Sequence, residues 1–262
     1  MQKHYAHLAG LVDGDGCIMA YVAQTEGQKW YRVHLSVNSV DKKVINHLVK
    51  MFGGSRNKRT RPHYKQGFIW EWKLILKQSV KNLLEQITPY LVIKKQQARL
   101  AAQFLDLQGR CPEDREALIR EIQRLNQSSE TQTNFDDIGK MKWPYLAGVM
   151  DAEGTFTVRK DFRGTYIHYG IWARLGNTNE HLINWLNTFF QVESIEDDKS
   201  YYWFLPHDRK GKEKFILAIL PFLVTKKEQA KVLLDYIKMG DEKNPLKREQ
   251  LYQKCFALNH PY

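Results

Sequence analysis

The sequence has few cysteines, no long apolar run and fewer acidic than basic side chains. Its cysteines, Cys17, Cys111 and Cys255, are odd in number and widely spaced. They therefore favour reduced thiols in a reducing compartment over a disulfide framework or a zinc site. No apolar run reaches the roughly 18 residues that a membrane span needs, and no signal peptide follows Met1. We expect an intracellular protein that does not bind membranes.

The charge of the chain indicates an acidic partner. Its 262 residues include 40 Lys and Arg against 29 Asp and Glu, which gives a formal net charge of +11. Nucleic acid is the first expectation for such a balance, and an ordinary basic protein is the alternative. Residues 1–107 carry 17 basic and 7 acidic side chains, whereas residues 143–262 carry 17 and 15. The basic excess therefore lies in the first part of the chain.

Three segments of the chain occur twice in the same order. "LAGLVDGDG" at 8–16 returns as "LAGVMDAEG" at 146–154, which pairs Asp15 with Glu153. "PYLVIKKQQA" at 89–98 returns as "PFLVTKKEQA" at 221–230 and pairs Lys94 with Lys226. The weaker pair "VNSVD" at 37–41 and "GNTNE" at 176–180 matches Asn38 with Asn177. Repetition at nearly constant separation indicates an internal duplication.

The duplication predicts an α+β protein with the order αββαββα in each half. Alternating apolar residues predict strand pairs, the first joined around Glu26-Gly27, and a helix begins near Asp41. The expected halves are residues 1–107 and 143–262. Residues 108–142 are expected to form a linker helix, "CPEDREALIREIQRL", and a polar tether. The stretch "PHDRKGKEK" at 206–214 is expected to be a loop.

The repeated motif predicts two closely packed helices that carry carboxylates to one metal site. Small residues remove bulk from one face of each helix, so that the backbones approach closely; they are Ala9, Gly10, Ala147 and Gly148. Two carboxylates at helix C-termini, Asp15 and Glu153, concentrate negative charge that a hard cation such as Mg²⁺ relieves. The carbonyls of Gly14 and Ala152 are candidate further ligands. The alternative is that both acids cap turns and are solvated.

Both motif copies resemble the LAGLIDADG signature, and the whole chain resembles a two-motif, single-chain LAGLIDADG homing endonuclease. The resemblance implies a pseudo-twofold fold with two saddle-shaped antiparallel sheets that bind double-stranded DNA. It also implies cleavage of both strands across the minor groove with two or three Mg²⁺ ions, leaving short 3′ overhangs. Mn²⁺ or Ca²⁺ would substitute in binding, and the protein would be a monomer.

The resemblance assigns roles to the repeated residues. Asp15 and Glu153 fall on the metal-binding letter of the motif, although Glu departs from the usual Asp. Lys94 and Lys226 match a lysine that orients water or stabilises charge, with exposed helix-start lysines as the alternative. Asn38 and Asn177 match a water-positioning amide, and are equally explicable as turn residues. Asp13 and Asp151 are instead expected to serve helix-end structure.

Alternation along the strands predicts the side chains that face DNA in the major groove. Two acids, Glu71 and Asp161, are candidate acceptors for cytosine amino groups. Solvated surface positions are the alternative for every member of the set. The expected DNA contacts are Tyr21, Arg32, His34, Ser36, Lys58, Arg59, Glu71, Lys73, Thr157, Arg159 and Arg174.

Two further functions stay open. An RNA maturase that assists intron splicing uses the same fold, and so does a DNA-binding protein that no longer cuts. Retention of both acids and both lysines favours cleavage. The expected location is the cytoplasm, or an organelle matrix if the gene is organellar.

Overall fold

The structure is a computed structural model that describes residues 1–107, 112–128, 135–191, 195–197, 200–204, 208–240 and 244–260. The chain forms two compact units, Met1–Ala152 and Glu153–Tyr262. Residues 143–152, which the sequence assigns to the second half, thus lie in the first unit. The bounds 1–107, 108–142 and 143–262 stay a prediction about the duplication.

The first unit contains six of the α-helices described here and one four-stranded sheet. A short 3₁₀ segment, Phe135–Met141, precedes the last helix, and that helix ends on the first residue of the second unit. The elements in chain order are α1 (Gln2–Asp15), β1 (Gly16–Thr25), β2 (Gln28–Ser39), α2 (Lys42–Phe52), β3 (Ser55–Thr60), β4 (Phe68–Leu74), α3 (Lys77–Ile87), α4 (Lys95–Asp106), α5 (Pro112–Gln127) and α6 (Lys142–Glu153).

The second unit repeats this order of strands and helices. Its elements are β5 (Gly154–Arg163), β6 (Tyr166–Asn177), α7 (Glu180–Phe190), β7 (Ile195–Asp197), β8 (Ser200–Phe204), α8 (Arg209–Ile219), α9 (Lys227–Lys238) and α10 (Pro245–Asn259). The strand order is β1-β2-β4-β3 in one sheet and β5-β6-β8-β7 in the other, and every pair is antiparallel. The predicted α+β duplication is confirmed.

Local sequence explains the turns and helix starts. Glu26 and Gly27 have φ values of 50° and 78°, so both adopt the left-handed conformation of a two-residue hairpin turn. Asp41 caps α2 by accepting from the backbone N–H of Lys43 at 2.7 Å. Asn179 caps α7 in the same way through Leu182, at 2.9 Å.

One face of the first sheet builds the core of its unit. Ile18 pairs with Leu35 and Val37 pairs with Trp72, and all four side chains are buried. Trp72 also donates from Nε1 to the carbonyl of Gly53 at 2.7 Å, so its polar atom is satisfied. The other face of the sheet is left for polar side chains.

Helix α5 is part of its unit and not only a connection. It packs on β1 and α4. The carboxylate of Glu116 accepts from Lys29 Nζ and from the Tyr31 hydroxyl, each at 3.2 Å. Asn126 donates to the carbonyl of Ile18 at 2.9 Å. These contacts attach the helix to the first two strands of the sheet, β1 and β2.

Helix α10 makes similar contacts in the second unit, although its lysine lies on β5 and not on β6. The carboxylate of Glu249 accepts from Lys160 at 2.8 Å and from the Tyr169 hydroxyl. These hydrogen bonds, that from Lys160 first, lower the pKa of Glu249 to about 2. Asn259 donates to the carbonyl of Phe156 at 3.0 Å. The repeated unit therefore includes α5 and α10, and "PEDRE" at 112–116 matches "PLKRE" at 245–249.

The predicted loop at 206–214 is wrong where the structure describes it. Helix α8 starts after Asp208, which accepts from the N–H of Gly211 at 2.8 Å. Its buried face consists of Phe215, Ile216 and Ile219. Most of the predicted tether, residues 129–134, lies outside the described residues, as does Cys111.

Cys17 and Cys255 are free thiols, and burial raises the pKa of each. No helix in the described part of the chain is both long and apolar enough to cross a membrane.

Candidate functional site

Helices α1 and α6 contact each other backbone to backbone through their glycines. A Cβ atom added to Gly10 would lie 2.1 Å from the carbonyl oxygen of Tyr145. A Cβ added to Gly148 would lie 2.0 Å from the carbonyl oxygen of His7. Both distances are far below a van der Waals contact, so only glycine fits at either position. Ala9 and Ala147, the other predicted interface residues, are fully buried.

The two predicted metal-binding acids are the last residues of these helices. Asp15 ends α1 and is exposed, whereas Glu153 ends α6 and is half-buried. Each acid lies five residues after the glycine at which its helix contacts the other. A strand begins at the next residue in both cases, at Gly16 and Gly154. The prediction that the two carboxylates meet stays a prediction.

Lys94 caps the end of helix α1. It is the residue that precedes α4, and its ammonium donates to the carbonyls of Val12 at 2.7 Å, Asp13 at 2.9 Å and Gly14 at 3.3 Å. The last carbonyls of a helix lack partners within the helix, and a cation there also offsets the helix dipole. The predicted catalytic lysine thus lies beside the backbone that carries Asp15. The Gly14 carbonyl, a predicted metal ligand, is shared with this ammonium.

Asp13 binds the backbone of the segment that contains Lys94. Its buried carboxylate accepts from the N–H groups of Val92 at 2.8 Å, Ile93 at 3.1 Å and Lys94 at 2.9 Å. It also accepts from the Tyr145 hydroxyl at 3.0 Å. Burial raises the pKa of Asp13, and the charge of Lys94 and the three N–H groups oppose that rise. This is the structural role predicted for Asp13.

The second motif carries the matching acid, Asp151. Its carboxylate lies 2.9 Å from Nε2 of His7, and both side chains are buried. Lys226 precedes α9 as Lys94 precedes α4, with φ and ψ of −94° and 14° against −102° and 19°. The two lysines therefore occupy corresponding backbone positions, as the sequence predicts. Ala152, the remaining predicted ligand, is half-buried in α6.

The predicted pairing of Asn38 with Asn177 is wrong by one residue. Gly16 pairs with Val37 and Gly154 pairs with Leu175, so Asn177 corresponds to Ser39. The contacts of these residues at the helix caps support the same correspondence. Ser39 Oγ accepts from the N–H of Asp41 at 3.1 Å, and Asn177 Oδ1 accepts from the N–H of Asn179 at 2.6 Å.

The two asparagines consequently have different surroundings. Asn177 is buried, and its amide donates to Oε2 of Glu153. Asn38 lies on the opposite face of its strand, where it pairs with Glu71. Its Oδ1 is buried and has no hydrogen-bond partner. The constant separation of 138 residues between the motif acids would have identified Ser39 from the sequence.

Strand register places most of the predicted DNA contacts of the first unit on one sheet face. Tyr21 pairs with Arg32, and Ser36 pairs with Lys73. Arg32 is exposed, and Tyr21 and Lys73 are half-exposed. Ser36 and His34 lie on this face but are buried. Burial, followed by the charge of Lys73, lowers the pKa of His34 to about 4, so this imidazole is neutral.

Lys58 is assigned to the wrong face by the sequence. It pairs with Trp70 on the face that carries Trp72, and its ammonium lies 3.9 Å from the centre of the Phe68 ring. The neighbouring Arg59 lies on the polar face instead. A single-residue error in register reverses the face of a strand residue.

Arg59 and Glu71 form an ion pair on the polar face. Nε of Arg59 lies 2.8 Å from Oε2 of Glu71, and Asn57 donates to the same oxygen at 3.3 Å. The Glu71 side chain is 6% exposed, whereas that of Arg59 is 44% exposed. Glu71 is therefore occupied by an arginine and is not presented as an acceptor for cytosine.

The second sheet has a similar polar face. Thr157 pairs with Trp172 and Arg159 pairs with Gly170, so these residues share the face of Arg174. Nε of Arg159 lies 3.1 Å from Oδ1 of Asp161, and its guanidinium lies 4.6 Å from the centre of the Trp172 ring. The predicted set of Thr157, Arg159 and Arg174 does lie on one face.

Solved structures with the same fold include DNA complexes. I-SmaMI bound to uncleaved DNA target in the presence of calcium ions is 15% identical with a TM-score of 0.75, over 97% of this chain and 98% of that one. I-GzeII in complex with DNA target is 14% identical with a TM-score of 0.71, over 96% of each chain. A comparison with curated protein sequences gives no match.

Residues 8–108 match the LAGLIDADG endonuclease family, whose signature the second half repeats at 146–154. This match makes the first half of the chain similar to LAGLIDADG endonucleases. LAGLIDADG endonucleases are hydrolases that cleave DNA, and they form a class of nucleases that depends on divalent metals. The donors that end its two motif helices fit such an ion, because carboxylate and carbonyl oxygens are the preferred ligands of hard cations.

Proposed function

We propose that this protein makes site-specific double-strand breaks in a long, partly asymmetric DNA target, as a homing endonuclease. The observation that carries the proposal is the pair of motif helices, α1 and α6, packed glycine to backbone. Each ends in an acid and leads directly into a strand whose polar face carries basic side chains. An acid at the start of a DNA-binding strand is suitably located to act on the backbone of the bound duplex.

Asp15 and Glu153 are the proposed ligands of Mg²⁺. Both carboxylates stand at helix C-termini, where the dipole adds negative charge. No group of three or more His, Cys, Asp or Glu in the described part of the chain could hold a metal. The remaining ligands are therefore proposed to be oxygens of Gly14, Ala152, water and DNA. A divalent cation there activates water and neutralises charge on the scissile phosphate.

Lys94 and Lys226 are proposed to supply the positive charge of the reaction. The Lys94 ammonium is within 3.3 Å of three carbonyls at the end of α1, which supports a location next to the reacting phosphate. From there it would orient the attacking water or stabilise the transition state. Asn177 donates to Glu153, so its proposed role is exerted through that acid. Asn38, which pairs with Glu71, is proposed to position water.

The polar sheet faces are proposed to lie in the major groove on either side of the cleaved bonds. Exposed and half-exposed cations, Arg32, Lys73, Arg159 and Arg174 among them, would contact phosphates and bases. Cleavage across the minor groove with short 3′ overhangs, monomeric action and an intracellular location belong to the same proposal. Intron RNA is the alternative partner, and RNA binding is included in the test.

The experiment selects a target from randomised duplex DNA in Ca²⁺ and then adds Mg²⁺. We expect the selected duplex to be cut on both strands, and Asp15→Asn and Glu153→Gln each to abolish cutting while binding persists. Glu121→Gln, which removes an exposed acid from α5, is the matched control and should cut normally. Cleavage that persists in both acid variants would exclude the proposed metal ligands. Binding to intron RNA without DNA cleavage would favour the maturase function.

A further inference from the structure

The acid at the end of α6 has a buried amide partner. Asn177 is 8% exposed, and its Nδ2 donates to Oε2 of Glu153, which is half-buried. The Oδ1 atom of the same amide accepts from the N–H of Asn179, the cap of α7, at 2.6 Å. Both ends of the amide are thus engaged, and its orientation is fixed by the start of a helix. An amide held in this way offers Glu153 a rigid donor.

The corresponding position in the first half carries a different side chain. Ser39 accepts from the N–H of the α2 cap, Asp41, at 3.1 Å, as Asn177 does for α7. It ends in a hydroxyl and has no amide group. The motif acid of that half is Asp15, one methylene shorter than Glu153. The half with the shorter acid therefore has serine at this position, and the half with the longer acid has asparagine.

These two differences favour a single physical explanation. A glutamate has one more rotatable bond than an aspartate and loses more conformational freedom when its carboxylate is fixed. A hydrogen bond from a rigid amide removes that freedom before a ligand binds. It occupies one lone pair of Oε2. Partners of this kind orient metal ligands and tune their affinity.

We infer that Asn177 is a positioning residue that fixes the longer arm of Glu153 for its cation, and that the two DNA strands are consequently cut by acids held in different ways. The inference rests on the proposed function. It predicts that loss of the amide slows one strand selectively. A residue that only stabilised α7 would affect both strands through the amount of folded protein.

The substitution that separates these roles is Asn177→Ser. Serine retains an acceptor for the N–H of Asn179, as Ser39 does for Asp41, but removes the amide donor to Glu153. Ser39→Ala is the matched control, because it removes a helix-cap acceptor in the first half and leaves the amide of Asn177 intact. Both variants should unfold within about 3 °C of the wild type.

Two measurements test the inference. On a supercoiled plasmid that carries the selected target, Asn177→Ser should accumulate nicked circles, with one strand slowed about 10-fold and the other within about twofold. On the protein–duplex complex, Tb³⁺ luminescence should report about 10-fold weaker binding of that ion, a readout that requires no turnover. Ser39→Ala should match the wild type in both. The double variant Glu153→Asp, Asn177→Ser installs the residue types of the first half and should recover even cutting.

The outcomes separate this inference from the proposed function. A wild-type protein that neither binds nor cuts any selected duplex would overturn the proposed function. A wild-type protein that cuts, with an Asn177→Ser variant that cuts both strands and binds Tb³⁺ equally well, would overturn only the positioning role. A double variant that remains as slow as Asn177→Ser would contradict the matching of acid and partner.

Discussion

The hydroxyl of Tyr145 donates a hydrogen bond of 3.0 Å to the buried carboxylate of Asp13, and His7 takes the corresponding place opposite Asp151 at 2.9 Å. Positions 7 and 145 are separated by 138 residues, as are Asp15 and Glu153. Each motif helix therefore presents one side chain to the first aspartate of the other motif. The contact to the buried aspartate occurs in both copies, but its partner is the phenol of Tyr145 in one copy and the imidazole of His7 in the other.

Tyr145→Phe tests the stabilising value of this contact. The substitution removes one of the four donors to Asp13 and keeps the ring, so we expect a loss of about 1 kcal/mol in the free energy of unfolding. Urea unfolding measures it, with Tyr21→Phe on the sheet as the control. A Tyr145→Phe variant as stable as the wild type would show that the three backbone donors suffice.

Gly10→Ala tests the close approach of α1 and α6. Helix propensity alone would make alanine stabilising by about 1 kcal/mol at this position. The added Cβ would meet a backbone oxygen at 2.1 Å, so we expect instead a net loss of about 1–3 kcal/mol. Gly67→Ala is the control, because Gly67 has open space and a φ of +71° and costs only backbone strain, about 1 kcal/mol. Greater stability of Gly10→Ala would rule out the contact.

His34 gives the protein a pH-dependent stability. Its pKa is about 4 in the folded protein and 6.5 as the ordinary value, so between these limits the unfolded chain binds more protons. Stability should therefore fall as the pH is lowered from 6.5 towards 4, and this residue should account for about 1–3 kcal/mol of the fall. Urea unfolding at pH 7 and pH 5 measures the effect.

His34→Gln should flatten that part of the pH profile. His63 is exposed and serves as the matched control, so His63→Gln should keep the wild-type slope. Equal slopes for His34→Gln and the wild type would indicate that other groups are responsible.

Glu71→Gln should alter how the first sheet binds DNA. Without the carboxylate, Arg59 is no longer held through Nε and becomes available to phosphates. We expect the slope of log K against log salt to steepen by up to about 0.9 and the base preference to relax locally. Glu121→Gln makes the same charge change on α5. Identical effects of the two variants would reduce the role of Glu71 to charge alone.

The excess of basic residues in the first half predicts an unequal salt dependence. Replacing Arg32 and Lys73 with Gln should lower the salt slope by about 1.8, if each contacts one phosphate. The same change at Arg159 and Arg174 should have a smaller effect, because Arg159 is already paired with Asp161. Titrations of DNA binding at several salt concentrations measure the slopes. Equal reductions would contradict the asymmetry.

The features that could be predicted from the sequence are those that follow from the repeated motif and from the periodicity of apolar residues. Two copies of a nine-residue motif indicated the α+β duplication, the glycine contact and the helix-end acids. The hairpin at Glu26-Gly27 followed from local conformational preference. The start of α8 did not, because the buried face of Phe215, Ile216 and Ile219 lies beyond the charged stretch that suggested a loop.

The errors concern register, which a sequence motif does not define to one residue. Residue type aligns Asn38 with Asn177, although strand pairing relates Asn177 to Ser39. The predicted alternation likewise places Lys58 on the sheet face that its neighbour Arg59 occupies. The ion pairs of Glu71 and Asp161 depend on side chains brought together across or along the sheet, and composition gives no indication of them.

The backbone contact between α1 and α6 has a consequence for how such proteins diversify. Substitutions at Gly10 or Gly148 meet main-chain atoms that have no freedom to yield, whereas exposed strand residues such as Arg32 or Arg159 border solvent. Mutation can therefore change the strand surface that is proposed to recognise the DNA sequence, while the helices that carry the acids stay unchanged. New targets become accessible to evolution, or to an engineer, without rebuilding the chemistry.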